Sequence, residues 1–415
     1  MEKLQSAIGL LVLILICWLL SRDRKKVNFR VIGGCLFLQF SFALLFLKVP
    51  FFRQCFMLLN HVAKALQEAC LAGTKFAFGY VGGGDAPFEV TQPHNWFVFA
   101  FQGLPLVLLI SALSSVLFYW KVLPKIVEAI SYVLRKATGI SGALGLGVSA
   151  NIFVGMVEAP LMVRPYIKKM TRSEIFTLMV SGMATVAGTV MFLYAMLIGK
   201  AIPDAMGHIL VASVISAPAA IMVSLIMVPG DLEKREESKE FIPPINAKST
   251  MDALVKGVDA GVKLLINIVA MLIVMVALVA LFNAILGIIP LKDPLTFQKI
   301  VGWCMAPIVW LIGIPWNEAV TAGQLMGTKI VLNELIAYLD MANLPPDSLS
   351  ERSKIIMTYA MCGFANFGSL GIMTAGLRTM APEKEKDILS LGGWSILAGV
   401  IATLMTGAIA GIFIS

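Results

Sequence analysis

Runs of about twenty apolar residues alternate along the chain with short polar stretches, the pattern of helices that cross a bilayer. They fall at 4–20, 31–48, 96–119, 174–198, 208–228, 264–287, 355–377 and 388–414, which predicts an all-α membrane protein of eight transmembrane helices. Basic residues collect between the runs, at 21–30, 121–136, 164–172 and 378–386. Cytoplasmic loops carry such an excess of Lys and Arg, so placing these loops inside puts both termini outside. The first run ends at Ser21-Arg-Asp-Arg-Lys-Lys26, a charged stop rather than a small-residue cleavage site, and reads as a retained span.

Some stretches depart from this alternation. Between Val122 and Ala137 apolar residues recur at helical spacing, with Lys125, Glu128, Arg135 and Lys136 on the other face, as in a helix lying in the membrane interface. Pro294 to Trp303 is a weaker example. The polar stretch 229–262, with Asp231-Leu-Glu-Lys-Arg-Glu-Glu237 and Pro243-Pro244, reads as a cytoplasmic linker between halves. These marks divide the chain into 1–120 (spans 1–3), 121–228 (interfacial helix, first broken segment, spans 4 and 5), 229–262 (linker), 263–302 (span 6 and an external interfacial helix) and 303–415 (second broken segment, spans 7 and 8).

The broken segments, 139–168 and 303–340, are apolar but interrupted. Gly155, Glu158 and Pro160 break the first; Gly313, Pro315, Asn317 and Glu318 break the second. Irregular backbone at membrane depth is tolerated where protein or a wet cavity satisfies its N–H and C=O groups, so both read as re-entrant hairpins entering from opposite sides. Gly155-Met-Val-Glu-Ala159 parallels Pro315-Trp-Asn-Glu-Ala319, and Ser181-Gly-Met-Ala-Thr-Val186 parallels Cys362-Gly-Phe-Ala-Asn-Phe367. Opposite entry sides make these inverted repeats, a transporter plan with the substrate site at the midplane.

Composition agrees with lipid as the main solvent. Hydrophobic residues make up 58% of the 415 positions and charged residues 14%, with mean hydropathy +0.86; soluble domains average about 25% charged residues. The net charge of +8 comes from the short basic loops and forms no aromatic-interleaved face for nucleic acid. Six scattered cysteines and three scattered histidines suggest neither a disulfide framework nor a metal cluster.

The polar residues left inside apolar runs are the candidates for chemistry. A carboxylate at the bilayer centre costs roughly 2.5–3.5 kcal/mol, so Glu158 and Glu318 are expected to face a wet cavity and bind something. Asn366 lies between Gly363 and Gly368, where the helix is weak, beside Phe364, which could stack on a planar ring. Thr185 and Thr189 sit in the paired stretch. Hydroxyl, amide and backbone oxygens at Asn151 and Thr185 are hard ligands of the kind sodium accepts. Together these groups suit a polar, neutral solute, and sugar hydroxyls would pair well with them.

Four stretches in order, Asn151-Ile-Phe-Val-Gly-Met-Val-Glu-Ala-Pro160, Gly313-Ile-Pro-Trp-Asn-Glu-Ala319, Val331-Leu-Asn-Glu-Leu-Ile-Ala-Tyr338 and Cys362-Gly-Phe-Ala-Asn-Phe-Gly-Ser369, resemble the concentrative nucleoside transporters of the compact bacterial type. The resemblance implies eight spans, two opposed hairpins, interfacial helices, a homotrimer held by a scaffold (1–120 and 263–302), and a transport domain (121–228 and 303–415) that moves as an elevator in the inner membrane. It also implies ribose contacts at Glu318, Asn366 and Ser369. Base contacts map to Met156, Val157, Val190 and Phe364, with Glu158 in the hairpin. Sodium ligands map to Asn151, Val154, Thr185 and Val186, the valines through their carbonyls. Many members carry Gly-Gln-Thr-Glu or Gly-Gln-Ser-Glu where this chain has Gly155-Met-Val-Glu158. Loss of those polar contacts, with Gly155-Met156 and Thr185-Val186 similar to purine-selective members, implies a preference for purine nucleosides.

The expected activity is therefore nucleoside import driven by a sodium gradient, with no bound cofactor. Proton coupling with broad or pyrimidine specificity is the alternative. A membrane-embedded transferase would want clustered His, Asp or Lys at one face, and a passive channel would want a continuous pore rather than hairpins; neither pattern is evident.

Overall fold

The computed structural model describes residues 2–90, 97–199, 201–230, 247–289 and 295–414, and every regular element among them is helical. The chain opens with α1 (Glu2–Leu19) and α2 (Phe29–Lys48), the latter capped by Asn28, whose Oδ1 accepts from the Arg30 N–H at 3.0 Å. The next helix, α3 (Pro50–Phe78), has no counterpart among the expected spans. Its apolar and polar residues segregate on opposite faces, and Asn60 ties it to a later helix through Asp204 (2.8 Å) and the Met206 N–H (3.2 Å). Then follow α4 (Phe99–Gln102), α5 (Leu106–Tyr119) and the expected interfacial helix, α6 (Val122–Thr138).

The first broken segment is α7 (Gly142–Ala150), an irregular tip at 151–157, then α8 (Glu158–Met162) and α9 (Arg164–Ile167). Span 4 is divided into α10 (Arg172–Ala184) and α11 (Gly188–Ile198), and span 5 is α12 (Ala205–Met227). Residues 231–246 of the expected linker lie outside the described residues; its last part is helical, because α13 (Thr250–Leu286) starts fourteen residues before the expected span. Ser249 accepts from the Asp252 N–H at its start, a cap inside the polar stretch.

The second half continues with α14 (Phe297–Leu311), α15 (Trp316–Val331) and α16 (Glu334–Ala342), then α17 (Glu351–Met361), α18 (Phe367–Met380) and α19 (Glu385–Phe413). Residue 294 lies outside the described residues, and Phe297–Trp303 is the first half of α14, which runs on to Leu311. The chain bends by 119° between α14 and α15 and breaks again at Leu332–Asn333, so the second broken segment has two interruptions where one was expected.

Seven helical stretches among the described residues are long and apolar enough to cross a bilayer, and the bent pair of α14 and α15 makes an eighth candidate. They match seven of the expected spans. Span 355–377 differs: it is two short helices, α17 and α18, joined by extended backbone. The chain is thus a multi-pass membrane protein.

Burial separates the helices. The most apolar window of α12 is 89% buried and that of α13 only 6%, although α13 is the more hydropathic; α13 must turn its apolar surface to lipid or to another chain. It packs mainly on α5, where Gly257 and Gly261 admit Ser111, Ser115 and Leu108 at backbone distance. By contrast α1 packs on α19 and α2 on α12, inside the bundle that carries the broken helices. Side-chain ties hold that bundle. Arg172 pairs with Asp387, and Lys168 with Glu383 at 3.4 Å, fixing the exit of the first broken segment to the start of α19. The turn between α14 and α15 is held by Arg352, which donates to the Gly313 and Gly411 carbonyls, and by Ser6, which donates to that of Ile312. Gly313 has φ +110°, open to glycine and strained for other residues.

Candidate substrate and cation site

Two interruptions cross near the middle of the bundle. In span 4 the chain leaves the helix at Thr185 (φ −116°, ψ 168°) and resumes at Gly188; in span 7 it leaves at Cys362 and resumes after Asn366 (φ −145°, ψ 168°). They meet because glycine removes the side chain between them. A Cβ on Gly363 would stand 2.9 Å from the Met183 carbonyl oxygen and 3.0 Å from the Ala184 carbonyl carbon.

The tip 151–157 lies against the first interruption. The Gly188 N–H donates to the Phe153 carbonyl at 3.0 Å, and Thr185 Oγ1 lies 3.0 Å from the Asn151 carbonyl and 2.8 Å from that of Ser181. Asn151 donates from Nδ2 to Ser181 Oγ at 2.7 Å, while its Oδ1 is buried with no hydrogen-bond partner. A buried amide oxygen without a donor carries a desolvation penalty that a cation would relieve. Val154 and Val186, three residues after Asn151 and next to Thr185, are buried, and of the four expected sodium ligands the structure directly joins Asn151 and Thr185. These neutral oxygens fit a hard monovalent cation better than a soft transition metal.

At the second interruption Asn366 is 2% exposed and caps α18, its Oδ1 accepting from the Ser369 N–H at 2.7 Å. Its Nδ2 donates to Glu334 Oε2 at 3.0 Å, and the other oxygen of Glu334 accepts from the Tyr194 hydroxyl at 2.5 Å. Glu334 is the first residue of α16, where the helix N-terminus favours negative charge. The buried carboxylate beside Asn366, fixed by two donors at a break between helices, is thus that of Glu334, where the resemblance implied Glu318.

Glu318 does not occupy that place. It sits in the first turn of α15, half-buried, and accepts from Ser350 Oγ at 3.2 Å near the start of α17. A helix rises 1.5 Å per residue, so the thirteen residues from Glu318 to Val331 put roughly 20 Å of α15 between Glu318 and the break that carries Glu334. The signal for Glu334 was present in Val331-Leu-Asn-Glu-Leu-Ile-Ala-Tyr338, an Asn-Glu pair inside an apolar run; the Glu-Ala match at Glu318 drew the assignment away.

The other expected residues gather around the crossing. Met156 packs on Gly182, where an added Cβ would lie 2.9 Å from it, and half-buried Val157 packs on Gly376 of α18. Val190 is 5% exposed and Ser369 8%, and Phe364 is half-buried beside Asn366. Glu158 opens α8 with its carboxylate folded over Gly155, where a Cβ would stand 2.2 Å from Oε2. Its side chain is exposed.

Comparisons with known proteins give the chain a family. Residues 8–81 and 208–411 match the family descriptions "Na+ dependent nucleoside transporter N-terminus" and "C-terminus", and residues 100–201 match "Nucleoside recognition". The chain is 40% identical to an uncharacterized transporter of Haemophilus influenzae, covering 100% of this chain and 98% of the relative. It is 34% identical to the nucleoside permease NupC of Helicobacter pylori, with the same coverage. Among solved structures, CNTnw in an inward-facing substrate-bound state aligns over 100% of this chain and 98% of its own, at 36% identity and a TM-score of 0.91.

Proposed function

Because the chain belongs to the concentrative nucleoside transporter family, a family of transporters and not of enzymes, we propose that it imports nucleosides, purines preferentially, by sodium symport. The observation that carries this reading is the pairing of Glu334 with Asn366 beside the oxygen cluster of Asn151 and Thr185. A carboxylate and an amide that satisfy each other in the core can accept from and donate to vicinal ribose hydroxyls with little reorganisation. Glu334, Asn366 and Ser369 then hold the sugar, and Glu158 reaches it from the hairpin. Met156, Val157, Val190 and Phe364 supply an apolar wall for the base, and the adaptable Met suits a bicyclic ring.

Sodium binds at Asn151 Oδ1 and Thr185 Oγ1, with the Val154 and Val186 carbonyls completing the shell. Binding there ties the hairpin tip to the interruption in span 4, which couples the ion to closure over the nucleoside. Each cation moving inward contributes about 2.3 kcal/mol per 100 mV of membrane potential. The protein lies in the bacterial plasma membrane with both termini outside. The bundle holding both interruptions travels as a unit against α5 and α13, and the unburied apolar face of α13 supports a homotrimer as the assembly it moves within.

Proteoliposome uptake tests this. Labelled adenosine should accumulate above equilibrium under an inward sodium gradient, and the gain should vanish when choline replaces sodium at constant pH. Uptake that survives in choline and follows a pH gradient would give the coupling to protons instead. Equal inhibition of adenosine uptake by uridine and inosine would end the purine preference.

A further inference from the structure

Lys329 is the one lysine among the described residues with no exposed surface, and its ammonium has no hydrogen-bond partner. It lies in the last turn of α15, too deep to extend its head to a membrane face as interfacial lysines do. An isolated ammonium in such surroundings is strongly disfavoured unless an opposite charge is near. The chain turns at Leu332 (φ −93°, ψ −91°), Asn333 caps the next helix, and Glu334 follows as its first residue. Only four residues separate Lys329 from Glu334 across this turn, and α15 packs on α16, so the ammonium lies near the Glu334 carboxylate without hydrogen-bonding to it.

The other groups around the pair are neutral hydrogen-bonding side chains: Tyr194 on α11, Tyr338 on α16, and Cys362 and Asn366 in the interruption of span 7. Tyr194 and Asn366 each donate to one oxygen of Glu334, which leaves lone pairs on both oxygens. Tyr338 is occupied with the Thr358 carbonyl at 2.8 Å. No second cation faces the carboxylate among these groups.

We propose that Lys329 is the resident counter-cation of Glu334, a positioning residue that keeps this carboxylate ionised in the membrane core when no substrate is bound. Ribose hydroxyls can then donate to the lone pairs left on Glu334 without a proton entering or leaving the site. The pair also crosses the membrane with no net charge, which leaves the transported sodium to offset charge elsewhere. The functional consequence rests on Glu334 being the sugar-binding carboxylate; the electrostatic pairing does not.

The test therefore uses neither nucleoside nor a sodium gradient. Thermal unfolding of the purified full-length protein in detergent is followed between about pH 5.5 and about pH 8.5 for the wild type, Lys329→Met and Lys329→Met/Glu334→Gln. Without its counter-cation a buried carboxylate binds its proton more tightly in the folded than in the unfolded chain. Stability is then present in acid and lost as pH rises. Lys329→Met should lose about 5 °C more than the wild type across this range, and the double variant should follow the wild-type slope. A slope for Lys329→Met parallel to the wild type, or an added slope that survives in the double variant, overturns the proposal. If Lys329→Met does not fold, recovery of a folded double variant supports the pairing, and failure of both overturns it. A failed transport assay would leave this result untouched.

Discussion

The two halves of the molecule repeat one construction and give it different chemistry. In each, a glutamate opens a short helix after an irregular stretch, Glu158 on α8 and Glu334 on α16, and an interrupted span follows. In the first half the irregular stretch presents oxygens: Asn151, the hydroxyls of Thr185 and Ser181, and the backbone of Phe153. In the second it presents a carboxylate held by an amide and a phenol. Burial explains the division. Glu158 reaches water and needs no fixed donors, whereas Glu334 is enclosed and is matched by Tyr194 and Asn366, as the cost of burying charge requires. A repeated scaffold thus places a neutral oxygen cluster suited to a cation next to a polar clamp suited to hydroxyls.

The sharpest way to break this comparison is to remove the second carboxylate. Glu334→Ala leaves the Asn366 amide and the Tyr194 hydroxyl buried without their acceptor, and hydrogen bonds to a charged group are worth about 1.5–3 kcal/mol each. Its kcat/KM for adenosine uptake should fall at least about 100-fold at unchanged membrane expression. Glu318→Gln alters one half-buried bond to Ser350 and should stay within about twofold of the wild type. If the Glu318 variant loses uptake and the Glu334 variant keeps it, the pairing of Glu158 with Glu334 across the halves is wrong.

That contrast also marks how far the sequence could be read. Seven spans were legible because lipid imposes a length and an apolar content on each. The eighth, 355–377, was read as one span weakened between Gly363 and Gly368, and there Asn366 does leave the helical conformation and cap a new helix, a break that hydropathy alone does not register. The amphipathic α3 carries Arg53, His61, Lys64, Glu68 and Lys75 and so fails a hydropathy criterion while still forming a helix of 29 residues. Asn151, Thr185 and Asn366 were visible as polar groups in apolar runs, and the fold does bring them to one crossing. Glu334 was obscured by similarity itself: Glu-Ala at 318 repeats Glu-Ala at 158, but α15 carries Glu318 a helix-length away. Local sequence likeness records residue types, while the position of a chain break decides which glutamate faces the site.

Weakening the first half should change the ion requirement before the substrate requirement. Asn151→Ala removes the unpartnered Oδ1, and losing even an outer partner of a metal site costs about 10–100-fold in affinity. The sodium concentration giving half-maximal adenosine uptake should therefore rise about tenfold or more, with maximal uptake recovered at high sodium. Thr185→Val should act in the same direction. If half-saturation by sodium is unchanged while the KM for adenosine at saturating sodium rises instead, the oxygen cluster belongs to the nucleoside and the division of labour between the halves fails.

The smallest effect is expected at the wall between them. Met156 and Val157 lie at the hairpin tip, against Gly182 of the first interrupted span and Gly376 of the second, and under the proposed function they meet the base from the first half while the second holds the sugar. Replacing both, Met156→Gln with Val157→Thr, offers hydrogen-bonding groups to the edge of a base without touching Glu334 or Asn151. One added hydrogen bond contributes about 1 kcal/mol, so the ratio of uridine to adenosine uptake efficiency should rise about fivefold. The sodium dependence should stay as in the wild type, because the oxygens of Asn151 and Thr185 are unaltered. A change in sodium half-saturation without a change in that ratio would place these two side chains in the coupling of the hairpin tip to span 4, and not in the recognition of the base.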